Sequence, residues 1–170
     1  MRLFIAINFT DETRSNLLAL RDQLREKSER GRFSLSENIH LTLAFLGECD
    51  DAQAAAAVIA MDSVTFEPFS FAIDCVGRFR RDGGDIWWAG IRQSKELMDL
   101  HQQLASALRL NGFNLEKQKY KPHITLGREI KTTAAPYSIA PFGETVSRIE
   151  LMKSERVSGK LTYTPIYHRG

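Results

Sequence analysis

Two stretches of the chain repeat one arrangement of reactive side chains. His40-Leu41-Thr42-Leu43 and His123-Ile124-Thr125-Leu126 both read His-apolar-Thr-apolar. In a β-strand, residues i and i+2 share a face, so each His and Thr fall together on one side and the apolar pair on the other. An imidazole takes or gives a proton near neutrality, and a hydroxyl beside it can donate to a phosphate oxygen. A single copy would be weak evidence, because a strand can also keep a partnered histidine for packing. Two copies supply a base and an acid, which displacement at phosphorus needs on opposite sides of the transferred group.

The elements that carry these pairs repeat as well. Arg2 to Asn8 reads as a central strand, followed by a helix capped at Thr10 or Asp11, with Leu17, Leu20 and Leu24 at helical spacing and an end near Gly31. A polar connection from Arg32 to Asn38 leads into the first His-Thr strand, about Ile39 to Leu46. Ile86 to Ile91 is again a strand, Ser94 caps a helix carrying Leu97, Leu100, Leu104 and Leu108, Gly112 fits its C-terminal cap, and the second His-Thr strand runs from about Lys121 to Glu129. His123 follows His40 by 83 positions, as Ile86 follows Leu3. The expected organisation is one domain, residues 1–170, made of two duplicated lobes with motifs at 40–43 and 123–126 facing each other across a cleft.

The rest of the chain fits around this frame. Asp50 and Asp51 open an alanine-rich helix through about Met61, with Ala55, Val58, Ile59 and Met61 as its buried stripe. Phe69, Phe71, Ile73 and Cys75 alternate as a strand that turns at Gly83 and Gly84. Lys131 to Gly143, with Pro136 and Pro141, has no clear period and reads as a loop or lid. Val146 to Lys153 and Leu161 to Tyr167 read as strands around a turn at Ser158 and Gly159. His168 falls on a tail expected to fray.

Composition limits the function. A chain of 170 residues that is 43% hydrophobic is long enough for a real core. A formal net charge of +2 is too small for a duplex-coating protein and suits a local anion pocket. Cys49 and Cys75 have neither zinc nor redox spacing and read as small buried hydrophobes in a reducing compartment. The start of the chain has no signal-peptide pattern and no stretch approaches a membrane span, so the expected location is the cytoplasm, without a membrane partner.

The two His-Thr motifs, the opening RLFIAI, the mid-chain IWWAGI and the closing pattern of Ser154, Gly159 and Tyr163-Thr164-Pro165 resemble the RNA 2′,3′-cyclic phosphodiesterases of the 2H phosphoesterase superfamily, also called 2′-5′ RNA ligases. The resemblance covers nearly the whole chain. It implies an α+β, bilobal, pseudo-twofold fold, with two antiparallel sheets lining a central cleft and helices outside. It also implies hydrolysis of RNA 2′,3′-cyclic phosphate ends to 2′-phosphomonoesters, with no metal and no cofactor, and ATP-independent 2′-5′ joining as the reverse.

Residue by residue, the resemblance makes His40 the general acid and His123 the general base, although either imidazole could physically serve in either role. Thr42 and Thr125 match phosphate-binding threonines. Arg128, taken to lie on the wet face with His123 and Thr125, is a further cation for phosphate or a solvated strand-end arginine. Phe45 matches the position of a nucleobase-stacking ring; strand parity alone makes it a core residue unless a bulge turns it outward. Arg78, Arg80 and Arg81, and Lys117, Lys119 and Lys121, could meet RNA or simply be solvated, with parity placing Lys119 and Lys121 on the His123 face. Trp87 and Trp88 put at least one indole in the core, and His101 reads as structural. The partner expected is RNA with a 2′,3′-cyclic phosphate end, or a cyclic nucleotide, acted on by a monomer. The rivals are a related enzyme for another cyclic or 2′-5′ phosphodiester, and a non-catalytic nucleotide- or RNA-binding module.

Overall fold

A computed structural model describes residues 1–170. Its elements in chain order are β1 (Arg2–Ile7), α1 (Asp11–Glu26), β2 (Ser28–Phe33), a short 3₁₀ turn (Ser36–Asn38), β3 (Leu41–Glu48), α2 (Asp51–Asp62), β4 (Phe69–Phe79), β5 (Asp85–Ile91), α3 (Lys95–Leu110), β6 (His123–Thr132), β7 (Tyr137–Val146), β8 (Ile149–Val157) and β9 (Lys160–Arg169). They form two antiparallel sheets, ordered β3-β1-β8-β9 and β2-β6-β5-β4-β7. The α+β class and the two-sheet architecture expected from the sequence are therefore present.

Local chemistry starts each helix. The Thr10 side chain caps α1, Asp50 and Gln53 form a reciprocal capping box on α2, and Ser94 caps α3. Leu17, Leu20 and Leu24 of α1 are buried, as are Leu97, Leu100, Leu104 and Leu108 of α3. One core cluster of 33 residues draws on both sheets and all three helices. No helix is long and apolar enough to cross a membrane.

Several sequence expectations need correction. α1 ends at Glu26 rather than near Gly31, and Ser28–Phe33 is a strand instead of the end of that helix and the first two residues of a polar connection. Its sequence, SERGRF, hides this because β2 is an edge strand whose exposed Arg30 and Arg32 break any hydrophobic alternation. The supposed loop from Lys131 to Gly143 contains most of β7, an edge strand on β4. Ile73 faces Phe142 and Cys75 faces Ser138, so Ile139, Ala140 and Pro141 bulge opposite Asp74. Proline fits where the ladder is interrupted, and the bulge inverts the alternation that would have marked the strand.

In α2 the buried residues are Ala57, Ala60 and Met61, while Ala55 is exposed and Ile59 is 60% exposed. Alanines all around that helix leave no contrast from which to phase its stripe. His168 lies in β9 opposite Glu150, not on a frayed tail. Lys119 and Lys121 precede β6, so strand parity does not apply to them.

The features that matter most for the site are two bulges. Against β1, Thr42 pairs with Ala6 but Ala44 with Ile5, leaving Leu43 as the extra residue. Against β5, Thr125 pairs with Trp88 but Gly127 with Trp87, leaving Leu126 as the extra residue. Leu126 follows Leu43 by the same 83 positions that separate the histidines. Each bulge reverses the parity of the residues beyond it in the strand. Phe45 and Arg128, which strict alternation would send to the core face of Leu41 and Ile124, are thereby turned outward. Arg128 is on the wet face because of a bulge, not because the strand is regular.

Candidate active site

His40 immediately precedes β3 in one sheet and His123 opens β6 in the other. Both rings are anchored alike. His40 Nδ1 is 2.8 Å from the carbonyl of Asn38, and His123 Nδ1 is 2.6 Å from the carbonyl of Lys121. A carbonyl only accepts, so Nδ1 carries the proton in both, and Nε2 is left as the atom that exchanges protons. The Asn38 carbonyl is held in turn: Asn38 Nδ2 donates to Leu161 O, and the Arg14 guanidinium donates to Ser36 O and Ile39 O on either side.

The neighbouring hydroxyls differ. His40 Nε2 lies 2.8 Å from Thr42 Oγ1, so with Nδ1 protonated the threonine donates to the imidazole. The Tyr120 hydroxyl donates to the Thr42 carbonyl at 2.7 Å, tying β3 to the segment that leads into His123. Tyr120 also stacks on His101 with ring centroids 3.8 Å apart, which gives that histidine its structural partner. The Thr125 carbonyl receives Ser34 Oγ.

Aromatic walls enclose each imidazole. Phe4 lies 4.8 Å and Tyr163 5.3 Å from the His40 ring; Phe79 lies 5.0 Å and Trp88 6.2 Å from the His123 ring. Of the two tryptophans, Trp87 is wholly buried and Trp88 lies toward the site. Gly77 makes room for the Trp88 indole, since a Cβ there would sit 2.4 Å from the ring. Phe4, Phe79, Tyr163, Asn38 and Tyr120 carry no motif spacing that marks them as site residues in the sequence alone. Phe4 and Tyr163 did fall inside the distinctive opening and closing motifs, which was the available signal.

Burial holds His40 well below its usual range, to about 4, against the opposing pull of the Asn38 carbonyl; Arg14, Arg128 and His123 push it further the same way. His123 is also lowered, first by burial and then by Arg128, with the Lys121 carbonyl opposing. Arg128 thus acts on both histidines, and on the Tyr163 hydroxyl it opposes the burial that raises that group. One cation lies within electrostatic reach of groups from both sheets, while the adjacent Glu129 pairs with Arg32. Phe45 is 65% exposed, with its ring 6.1 Å from Phe4, open for a planar group to stack upon. Arg78 turns away from this space, donating to Ala134 O and lying over Trp87. No group of three or more His, Cys, Asp or Glu side chains has metal-ligand geometry, and both cysteines are free.

The low pKa of His40 makes stability depend on pH. In the unfolded chain His40 titrates near 6.5 and in the folded chain near 4, so between these values the unfolded state binds the extra proton. The stability that neutral His40 contributes is complete above about pH 6.5 and is lost as pH falls toward 4, up to about 3 kcal/mol. Urea unfolding of wild type and His40→Gln at pH 7 and pH 4.5 should therefore show the smaller loss in the variant. Equal losses would mean that His40 is not held neutral by the fold.

A family profile described as the 2′-5′ RNA ligase superfamily matches residues 9–157. The chain is similar to an RNA 2′,3′-cyclic phosphodiesterase of Thermotoga maritima, 34% identical over 75% of this chain and 70% of that one. It is similar to another of the same name from Archaeoglobus fulgidus, 31% identical over 98% of this chain and 96% of that one. Among solved structures, E. coli LigT complexed with 3′-AMP superposes with a TM-score of 0.85 at 28% identity, covering 99% of this chain and 96% of that one.

Proposed function

Since the chain belongs to the 2′-5′ RNA ligase superfamily, we propose that it is a cyclic phosphodiesterase that opens RNA 2′,3′-cyclic phosphate ends to 2′-phosphomonoesters. The observation that carries this reading is the pair of histidines, each fixed through Nδ1 to the carbonyl two residues before it, with Arg128 acting on both. His123, neutral at pH 7 and with Nε2 free to accept, takes a proton from water as it attacks phosphorus. His40 in its protonated form delivers the Nε2 proton to the departing 3′-oxygen.

Protonation of His40 also changes Thr42. Once Nε2 carries a proton it no longer accepts from the hydroxyl, and Thr42 can donate to a non-bridging phosphate oxygen instead. Thr125 and Arg128 supply the other donors, and charge growing on the phosphoryl oxygens meets dipoles and a cation already in place. Phe45 receives the terminal base by stacking, which tolerates any base. With a 5′-hydroxyl attacking in place of water, the same groups would form a 2′-5′ bond without ATP.

The two histidines, the phosphate donors and the acid-base chemistry need no metal, and we read the enzyme as a monomeric cytoplasmic protein. The matching bulges at Leu43 and Leu126 support the view that residues 1–170 are one domain of two duplicated lobes. Incubating the protein in chelator with a short RNA ending in 2′,3′-cyclic phosphate tests the assignment. A product bearing a 2′-phosphate is expected. Turnover only of another cyclic or 2′-5′ phosphodiester, or binding without turnover, would replace the RNA-end reading.

A further inference from the structure

Two stretches with little part in the chemistry above, the opening Arg-Leu-Phe and the closing Ser-to-Tyr pattern, meet in the fold. β1 pairs with β8 without a register shift, so Arg2, Phe4 and Ala6 stand on one face of their sheet. Arg2 lies opposite Ser154 of β8, and Ser154 lies opposite Tyr163 of β9. Residues directly opposite each other across a ladder share a face. A guanidinium, a hydroxyl and a phenol therefore form one row of donors across three strands.

That row belongs to the face that carries the candidate site. Phe4, next along β1 on the same face, packs against His40, and Tyr163 lies edge-on to both rings. Burial pushes the Tyr163 hydroxyl above its usual range, so it stays a donor, while Arg128 and Arg2 pull the other way. Glu48 is opposite Arg2 on β3, but its carboxylate lies 3.6 Å from the amino group of Met1 and no ion pair joins it to Arg2. One i to i+2 step along a strand is about 6.8 Å, which sets the spacing between the Arg2 row and the Phe4 row beside His40.

Resting on the cyclic-phosphodiesterase reading, we propose that Arg2, Ser154 and Tyr163 form a second phosphate subsite, which holds the internucleotide phosphate on the 5′ side of the nucleotide bearing the cyclic phosphate. A terminal nucleotide placed with its base on Phe45 and its cyclic phosphate between the histidines has one further anion attached in RNA, the phosphate on its 5′-oxygen. A cyclic mononucleotide has none. An arginine fork with two hydroxyl donors suits a phosphodiester monoanion. The substrate class favoured is then an oligonucleotide end, and the row sets that preference without touching the reacting phosphorus.

Three substrates test this: a 2′,3′-cyclic mononucleotide, a dinucleotide ending in 2′,3′-cyclic phosphate, and the same dinucleotide with an uncharged methylphosphonate linkage. Wild type should favour the charged dinucleotide over its methylphosphonate twin by about tenfold in kcat/KM. Arg2→Gln should bring that ratio near one, and Ser154→Ala should lower it. The fall of kcat/KM with rising salt for the charged dinucleotide should be shallower in Arg2→Gln than in wild type. A wild-type ratio of one, or a ratio unchanged in Arg2→Gln, overturns the subsite. If wild type turns over none of the three, the cyclic-phosphodiesterase reading fails on its own account. The subsite is then read from binding of a linear dinucleotide against its methylphosphonate analogue, where equal affinities overturn it and a preference lost in Arg2→Gln supports it.

Discussion

Replacing His123 with Ala is expected to lower kcat/KM on a cyclic-phosphate RNA end by about 10²- to 10⁴-fold, and His40→Ala by a similar factor. The double variant should be scarcely worse than the poorer single one, because acid and base serve one step and the loss of either stalls it. The pH profile should identify the two groups. Both imidazoles are held below their ordinary range by burial, so in the free protein at neutral pH both are uncharged. On the proposed mechanism the base is then ready, and the acid acquires its proton with substrate present, because a phosphate anion beside His40 favours the imidazolium.

The kcat/KM profile, which reports the free protein, should accordingly peak below pH 6.5, with limbs that belong to the two lowered imidazoles as a pair. The basic limb should lie at higher pH in kcat than in kcat/KM, since only the complex contains the phosphate that raises His40. Steady-state kinetics across pH 4 to 9 on wild type and the two single variants measures all of this. An alanine variant with undiminished kcat/KM would remove that histidine from the mechanism, and coincident basic limbs would remove the substrate-assisted protonation of His40.

Arg128→Ala is expected to cost about 10- to 100-fold in kcat/KM, the scale of a charge-assisted contact to phosphate. Arg128→Lys should recover only part, because a point charge replaces a fork with two parallel donors. The variant carries a second signature of opposite sign to a simple loss of activity. Arg128 lowers the pKa of both histidines, so removing its charge should raise both. The acid limb of kcat/KM in Arg128→Ala should then move to higher pH than in wild type, while Arg128→Lys, which keeps the charge, should leave it in place. An unmoved limb in the alanine variant would show that Arg128 lies too far from the histidines to act on them.

The parts of this protein legible in its sequence are those governed by short-range periodicity. The leucine spacing of α1 and α3, the Thr10, Asp50 and Ser94 caps, and the glycine turns at Gly83, Gly84 and Gly159 depend on neighbours within a few residues, and the fold keeps them. The two His-Thr strands were readable for the same reason, since alternation places His with Thr. What failed was wherever alternation is broken or absent: the edge strand β2 with its exposed arginines, the bulged β7 around Pro141, and the all-alanine face of α2.

The candidate site divides along the same line. The sequence by itself determined which groups are candidates for the chemistry, two imidazoles and two hydroxyls at a constant separation, because residue types and spacing are all that this requires. Only the tertiary structure decided where the second layer falls. Phe45 and Arg128 reach the wet face through bulges at Leu43 and Leu126, which arise from the register with β1 and β5 and not from the local sequence. Arg2, Ser154 and Tyr163 come from opposite ends of the chain and share a face because β8 inserts between β1 and β9. Strand pairing over such separations depends on the burial of the whole core, and no stretch of sequence read alone contains it.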